Sequence, residues 1–173
     1  MEALSIETRV SHGQFCIKDP DVDVALDVYA GLNGLIQTRG GENRATILTG
    51  ISTGKIALTY APCQAEPALH LDGWDDVVEV SMTFATRRAG FVGHGFQDDP
   101  ITDLPSLSAA GAGSYRLRVH ARGRNEDLDL DLDLEDNYGD LVEFYLVQAW
   151  PNPVVPEIRY KLTDRRGEYV RTA

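Results

Sequence analysis

Apolar and polar residues alternate with a period of two along much of this chain, the spacing that puts one strand face on a core and the other toward solvent. Leu4 to Val10 and Gln14 to Lys18 read as two opening strands. Residues 45–49 and 56–60 read as a second pair, and Gly50 to Gly54 supplies turn residues between them, which predicts a hairpin. From Asp76 to Phe84, Val78, Val80, Met82 and Phe84 share one face, and Glu79, Ser81 and Thr83 share the other. Residues 114–121 alternate most cleanly: Tyr115, Leu117, Val119 and Ala121 against Arg116, Arg118 and His120. Residues 141–150 are apolar on both faces (Phe144, Tyr145, Leu146, Val147), as a central strand buried on both sides would be. Residues 157–162 supply a last strand. About eight short strands separated by turn signals predict an all-β fold, an antiparallel β-sandwich or barrel-like domain.

Helical periodicity is scarce, and at most one or two short helices are expected. Residues 21–32 are a candidate, with Asp19-Pro20 as a start signal. Val22, Val24 and Val28 weaken it, because β-branched side chains lose freedom in a helix. Residues 62–73 and 87–113 read as long loops, the second rich in Gly, Pro, Asp and Ser. Loops this long are uncommon in compact domains and tend to carry function.

Length and composition narrow the classes. The 173 residues fit one domain, 1–173, and can bury a core without disulfides or metals. No apolar run approaches the ~18 residues of a membrane span. Residues 1–9 lack the basic start and apolar core of a signal peptide, so cytoplasmic residence is the default expectation. Cys16 and Cys63 form no metal-binding spacing, and no cofactor is expected.

Charge changes the picture. The chain has 27 acidic and 16 basic residues, net −11. Nine of the acids lie between Asn125 and Glu143, where there is no base; without them the balance is 18 to 16. The acidity is therefore a local feature. It argues against direct contact with nucleic acid or an anionic membrane, since phosphate affinity needs clustered Lys and Arg, and it favours a basic partner.

Drawn as a strand, Asp127, Asp129, Asp131 and Asp133 share one face with Glu135, and Leu128, Leu130, Leu132 and Leu134 share the other. Alternate side chains then stand about 6.6–6.8 Å apart. That resembles the spacing of successive phosphates, so such a row could occupy the basic groove of a nuclease or DNA-binding protein. Glu126, Asp127, Asp129, Asp131, Asp133, Glu135 and Asp136 are the partner-binding candidates. Two plainer readings compete: a solvated hairpin extension whose acids guard an edge, or acids folded back onto Arg116, Arg118, Arg122 and Arg124. The Asp-x-Asp-x-Asp run is not an EF-hand loop, because no register supplies glycine at the sixth position.

Other motifs are weaker. Gly50-Ile51-Ser52-Thr53-Gly54 matches the nucleophile elbow of serine hydrolases, but a strand follows where that elbow needs a helix. No residue is assigned a catalytic role. His12, His70, His94 and His120 show no metal spacing, and His120 is expected on a polar surface. Trp74, Phe91, His94 and Phe96 are candidate loop contacts. They support an alternative reading as a small-molecule or carbohydrate-binding sandwich.

The run from Ser114 to Arg124, with Tyr145-Leu146-Val147-Gln148-Ala149-Trp150-Pro151, is similar to a segment of uncharacterised actinobacterial proteins, a likeness that implies no activity. Leu4-Ser5-Ile6, Gln14-Phe15, Gly34-Leu35-Ile36 and Gly113-Ser114-Tyr115-Arg116-Leu117 resemble the competence protein J family, inhibitors of a competence-associated nuclease. That resemblance implies a small β domain that binds a nuclease and blocks it. It covers about a fifth of the chain and leaves the acidic stretch unexplained. The reading that follows is a non-enzymatic protein-binding module, of inhibitor or immunity type, with a basic protein partner. A homodimer is a further expectation, and a hydrolase is the second alternative.

Overall fold

A computed structural model describes residues 2–22, 32–38, 40–93, 99–125 and 141–173. In chain order the elements are β1 (Leu4–Val10), β2 (Gln14–Lys18), β3 (Ile36–Thr38), β4 (Arg44–Leu48), β5 (Gly54–Pro62), β6 (Asp76–Phe84), β7 (Gly90–Gly93), β8 (Gly113–Arg122), β9 (Phe144–Pro151), β10 (Ile158–Leu162) and the helix α1 (Arg165–Thr172). The fold is all-β, as the alternation predicts.

The strands form two sheets. One has six strands in the order β1-β5-β9-β8-β6-β10, and the other has four in the order β3-β4-β2-β7. Neither sheet closes on itself, so the architecture is a sandwich and not a barrel. Every pairing is antiparallel except β5 with β9, which run parallel from Ala57↔Phe144 to Pro62↔Ala149.

One apolar cluster joins the sheets. Phe15, Ile17, Ile47 and Phe91 come from the small sheet; Leu58, Tyr60, Val80, Leu117, Val119 and Val147 come from the large one. Edge-on aromatic pairs cross the interface, Phe15 with Tyr145 at 5.2 Å between ring centres and Tyr60 with Phe91 at 5.4 Å. Such pairs add to simple area burial because a positive ring edge meets a negative ring face.

Several expectations are corrected. Residues 45–49 and 56–60 do not form a hairpin. Strand β4 pairs with β2 and β3, and β5 pairs with β1 and β9, so the turn between them crosses from one sheet to the other. A glycine at position 50 makes the crossing possible: a Cβ there would overlap the Arg124 carbonyl oxygen. Strand β7 lies inside the segment read as a long loop, and β3 was not foreseen. Phe91, expected as a loop contact, is 1% exposed in the core. The candidate helix at 21–32 falls mostly outside the described residues, as do His94 and Phe96. The helix α1 follows an N-cap that hydrophobic periodicity does not reveal: the Asp164 carboxylate accepts the Gly167 N–H at 2.6 Å.

Phe91→Ala is expected to lower stability by about 3–5 kcal/mol, the usual result of emptying an aromatic site in a packed core. Urea denaturation measures it; a loss near zero would return Phe91 to the surface.

Candidate functional site

The residues that frame the acidic stretch come from β8 and from the start of β9. Alternation on β8 sends Arg116, Arg118 and His120 to the face away from the core, where solvent was expected. Instead that face is covered by residues 66–68 and 155–156. Arg116 is 0% exposed, and Arg118 and His120 are 1% exposed.

Burial of a cation requires acceptors at every donor. Arg116 donates from Nε to Glu79 Oε1 at 2.6 Å, from Nη1 to Ser81 Oγ and the Val155 carbonyl, and from Nη2 to the Pro156 carbonyl. Arg118 donates from Nε to Glu79 Oε2 at 2.9 Å, from Nη1 to the Pro67 carbonyl at 3.0 Å, and from Nη2 to Glu66 at 3.1 Å. The Arg118 guanidinium also lies over Trp150 and Tyr160. Glu79 thus bridges two buried arginines from the neighbouring strand β6, and the pairing Glu79↔Arg118 sets the two groups opposite one another.

Arg124 is held the same way beyond the end of β8. Its Nε donates to Asp164 at 2.6 Å, its Nη2 to Asp76 at 3.0 Å, and its Nη1 to the carbonyls of Gly34 and Leu48. Asp76 and Asp164 are both buried. Burial and the adjacent Asp164 carboxylate push the Asp76 carboxyl up, while two backbone N–H bonds and Arg124 oppose that shift. Between these residues Gly123 turns the chain at φ +83°, and a Cβ there would overlap the Val142 carbonyl oxygen. Its N–H donates to Asp75 at 3.0 Å.

Both ends of the acidic stretch are therefore fixed. Asn125 accepts the Arg165 N–H at 2.8 Å through its side chain, tying the first end to α1. At the second end Glu143, counted by sequence among the nine acids, is 0% exposed. Its carboxylate accepts the N–H groups of Gly50 and Ile51, both at 2.7 Å, and the Tyr145 hydroxyl at 2.7 Å. Burial and this carboxylate hold Tyr145 well above the ordinary phenol range, so it stays a donor. Glu143 is a structural acid that closes the crossover between the sheets.

The partner-binding candidates Glu126, Asp127, Asp129, Asp131, Asp133, Glu135 and Asp136 lie outside the described residues. What the structure does decide is the state of the arginines they could fold onto. Every guanidinium nitrogen of Arg116, Arg118 and Arg124 already has an internal acceptor. Only Arg122 of that row is exposed, packed against Phe144 and Trp74.

The remaining candidates behave differently from expectation. His120 is buried, not on the surface; its Nδ1 donates to the Leu146 carbonyl at 3.2 Å, and burial lowers its pKa to about 4. The ring is neutral at pH 7. Trp74 is half-buried and packs on His120 at 5.2 Å. Grooves of about 470 and 410 Å³ lie beside residues 99–103 and beside Arg87–Arg88, and Trp74 lines neither. Ser52 of the Gly-x-Ser-x-Gly run is exposed and leads into β5, not into a helix. Among the described residues no group of three or more His, Cys, Asp or Glu is placed to hold a metal ion. No helix among them is long and apolar enough to cross a membrane.

Neither a protein-family model nor a curated protein matches the chain. Solved structures do share the fold. One is ComJ from Bacillus subtilis, an inhibitor of the DNA-degrading activity of NucA: TM-score 0.54 and 12% identity, over 88% of this chain and all of that one. Another is described as crocagin biosynthetic gene J: TM-score 0.52 and 12% identity, over 88% of this chain and 98% of that one. At this identity the likeness is one of fold.

Arg124→Ala is expected to cost about 3–5 kcal/mol of stability, because it strands two buried carboxylates. Arg122→Ala should cost well under about 1 kcal/mol, the scale of an exposed site. Thermal unfolding of the two variants side by side checks both; equal losses would contradict the division of β8 into committed and uncommitted arginines.

Proposed function

We propose that this chain is a non-enzymatic protein-binding module of the cytoplasm, whose acidic stretch docks on a basic protein surface, with a nuclease as the partner class and inhibition as the outcome. The observation that carries the reading is that Arg116, Arg118 and Arg124 are each held by internal acceptors at every guanidinium nitrogen. Eight acids from Glu126 to Asp140 follow with no base among them. Every guanidinium nitrogen of these three buried arginines is already hydrogen-bonded inside the protein, so an external cation is the complement that this reading assigns to that charge. The two anchored ends, at Asn125 and Glu143, supply a reason for binding without large ordering costs in the flanking chain.

The fold shared with an inhibitor of a DNA-degrading enzyme supports the choice of a nuclease. A row of carboxylates at strand spacing can occupy a groove built for phosphates, because both present negative oxygens to Lys and Arg. Charge of this kind acts chiefly on the association rate and on specificity.

Two probes test the reading. With NucA, the protein should slow DNA degradation at low ionic strength. Changing Asp127, Asp129, Asp131 and Asp133 to Asn should reduce the association rate by about tenfold or more. With polylysine, binding should weaken steeply as salt rises. Inhibition that is absent, or that persists unchanged in the Asn variant, would contradict the nuclease reading. Polylysine binding insensitive to salt would contradict the electrostatic one.

A further inference from the structure

Arg122 is the member of the β8 row that the internal acceptors leave out. It is exposed, and among the described residues it makes no hydrogen bond or ion pair. It is nevertheless held in place. Its guanidinium carbon lies 4.5 Å from the centre of the Phe144 ring and 5.4 Å from that of Trp74. Both rings are half-buried. Trp74 is itself backed by the buried, neutral ring of His120 at 5.2 Å.

This packing prepares one kind of contact. Aromatic rings attract the flat faces of a guanidinium, whose five N–H donors lie in its plane. With the guanidinium over these rings, no hydrogen bond to its in-plane N–H edge is made among the described residues, and such an edge can take a carboxylate or phosphate through two parallel bonds. Arginine and tryptophan at such a spot are also the residue types enriched where interfaces concentrate their binding energy.

The surroundings select which anion can arrive. Glu126 follows Arg122 by four residues, at most about 14 Å of extended chain. It begins a run of eight acids, and the Asp75 carboxylate binds the Gly123 N–H next door. A nucleic acid or a free anion would be repelled by that field. An anion carried on an otherwise basic molecule would be drawn in by it.

From this we infer that Arg122, seated on Trp74 and Phe144, receives a single carboxylate displayed within the basic surface of the protein partner. The inference rests on the docking role of the acidic stretch. It adds a point of registry: the acids supply attraction to any polycation, and Arg122 recognises a surface with one carboxylate set among its cations. Mixed charge of this kind separates the right partner from a merely basic one.

Two short lysine-rich peptides, identical except for a central Asp in one and Asn in the other, test this by calorimetry at low ionic strength. With the native chain the Asp peptide should bind about three- to fivefold more tightly, although it carries less positive charge. With Arg122→Gln the order should reverse, since only attraction to the acids remains. Binding of the Asn peptide as tight as that of the Asp peptide, or tighter, in the native chain overturns the role of Arg122 and leaves the docking reading standing. Binding of neither peptide overturns the docking reading, and the role of Arg122 with it.

Discussion

Buried arginine–carboxylate pairing organises this molecule. Arg124, Asp76 and Asp164 are all withdrawn from water, and they join three parts of the chain: the end of β8, the start of β6 and the cap of α1. Glu79 does the same for Arg116 and Arg118 on the outer face of the large sheet. Burying such charges is costly unless each donor and acceptor is met, so the loops at 66–68 and 155–156 must deliver their carbonyls where the arginines point. The backbone follows from this demand. Gly50 and Gly123 allow chain approaches that a side chain would block, and Glu143 takes up the two N–H groups exposed where β4 crosses to β5.

The same pairing decides how the charge of the chain is divided. An acidic stretch that follows Arg116, Arg118, Arg122 and Arg124 in the sequence suggests internal neutralisation. The structure directs three of those arginines inward, to acceptors of their own, and leaves Arg122 at the surface against two rings. What remains is a negative stretch with one positive, pre-oriented group near its first end. The fold is shared with ComJ at an identity too low to carry over any residue.

Much of the fold was legible in the sequence, and the reasons are local. The bounds of β1, β2 and β6 follow directly from alternation, and β9 declared itself by being apolar on both faces. The assignment of strands to sheets was not legible. Strands β4 and β5 look like a hairpin because both alternate and glycines separate them. Their separation into two sheets depends on Glu143 and Arg124, which are distant in sequence from Gly50. Strand β7 was hidden by its brevity and by the glycines around it, and α1 by Gly167 and its charged residues. The acidic stretch was found by composition alone. Composition could not show that Glu143, one of the nine acids, is a buried structural group. Nor could it separate Arg122 from Arg124; the one hint was Gly123 between them, which permits the turn that sends their side chains to different surroundings.

The central claim is that Arg116, Arg118 and Arg124 are held by their internal acceptors without help from the acids between Glu126 and Asp140. The most direct measurement converts all eight acids to their amides and follows two observables: the arginine Nε–H resonances of Arg116, Arg118 and Arg124, and the free energy of unfolding. The account predicts resonances at unchanged positions and a stability equal to that of the native chain or slightly higher, since repulsion is relieved. Displaced resonances, together with a loss of more than about 1 kcal/mol, would show that the acids fold back on β8 and would contradict it.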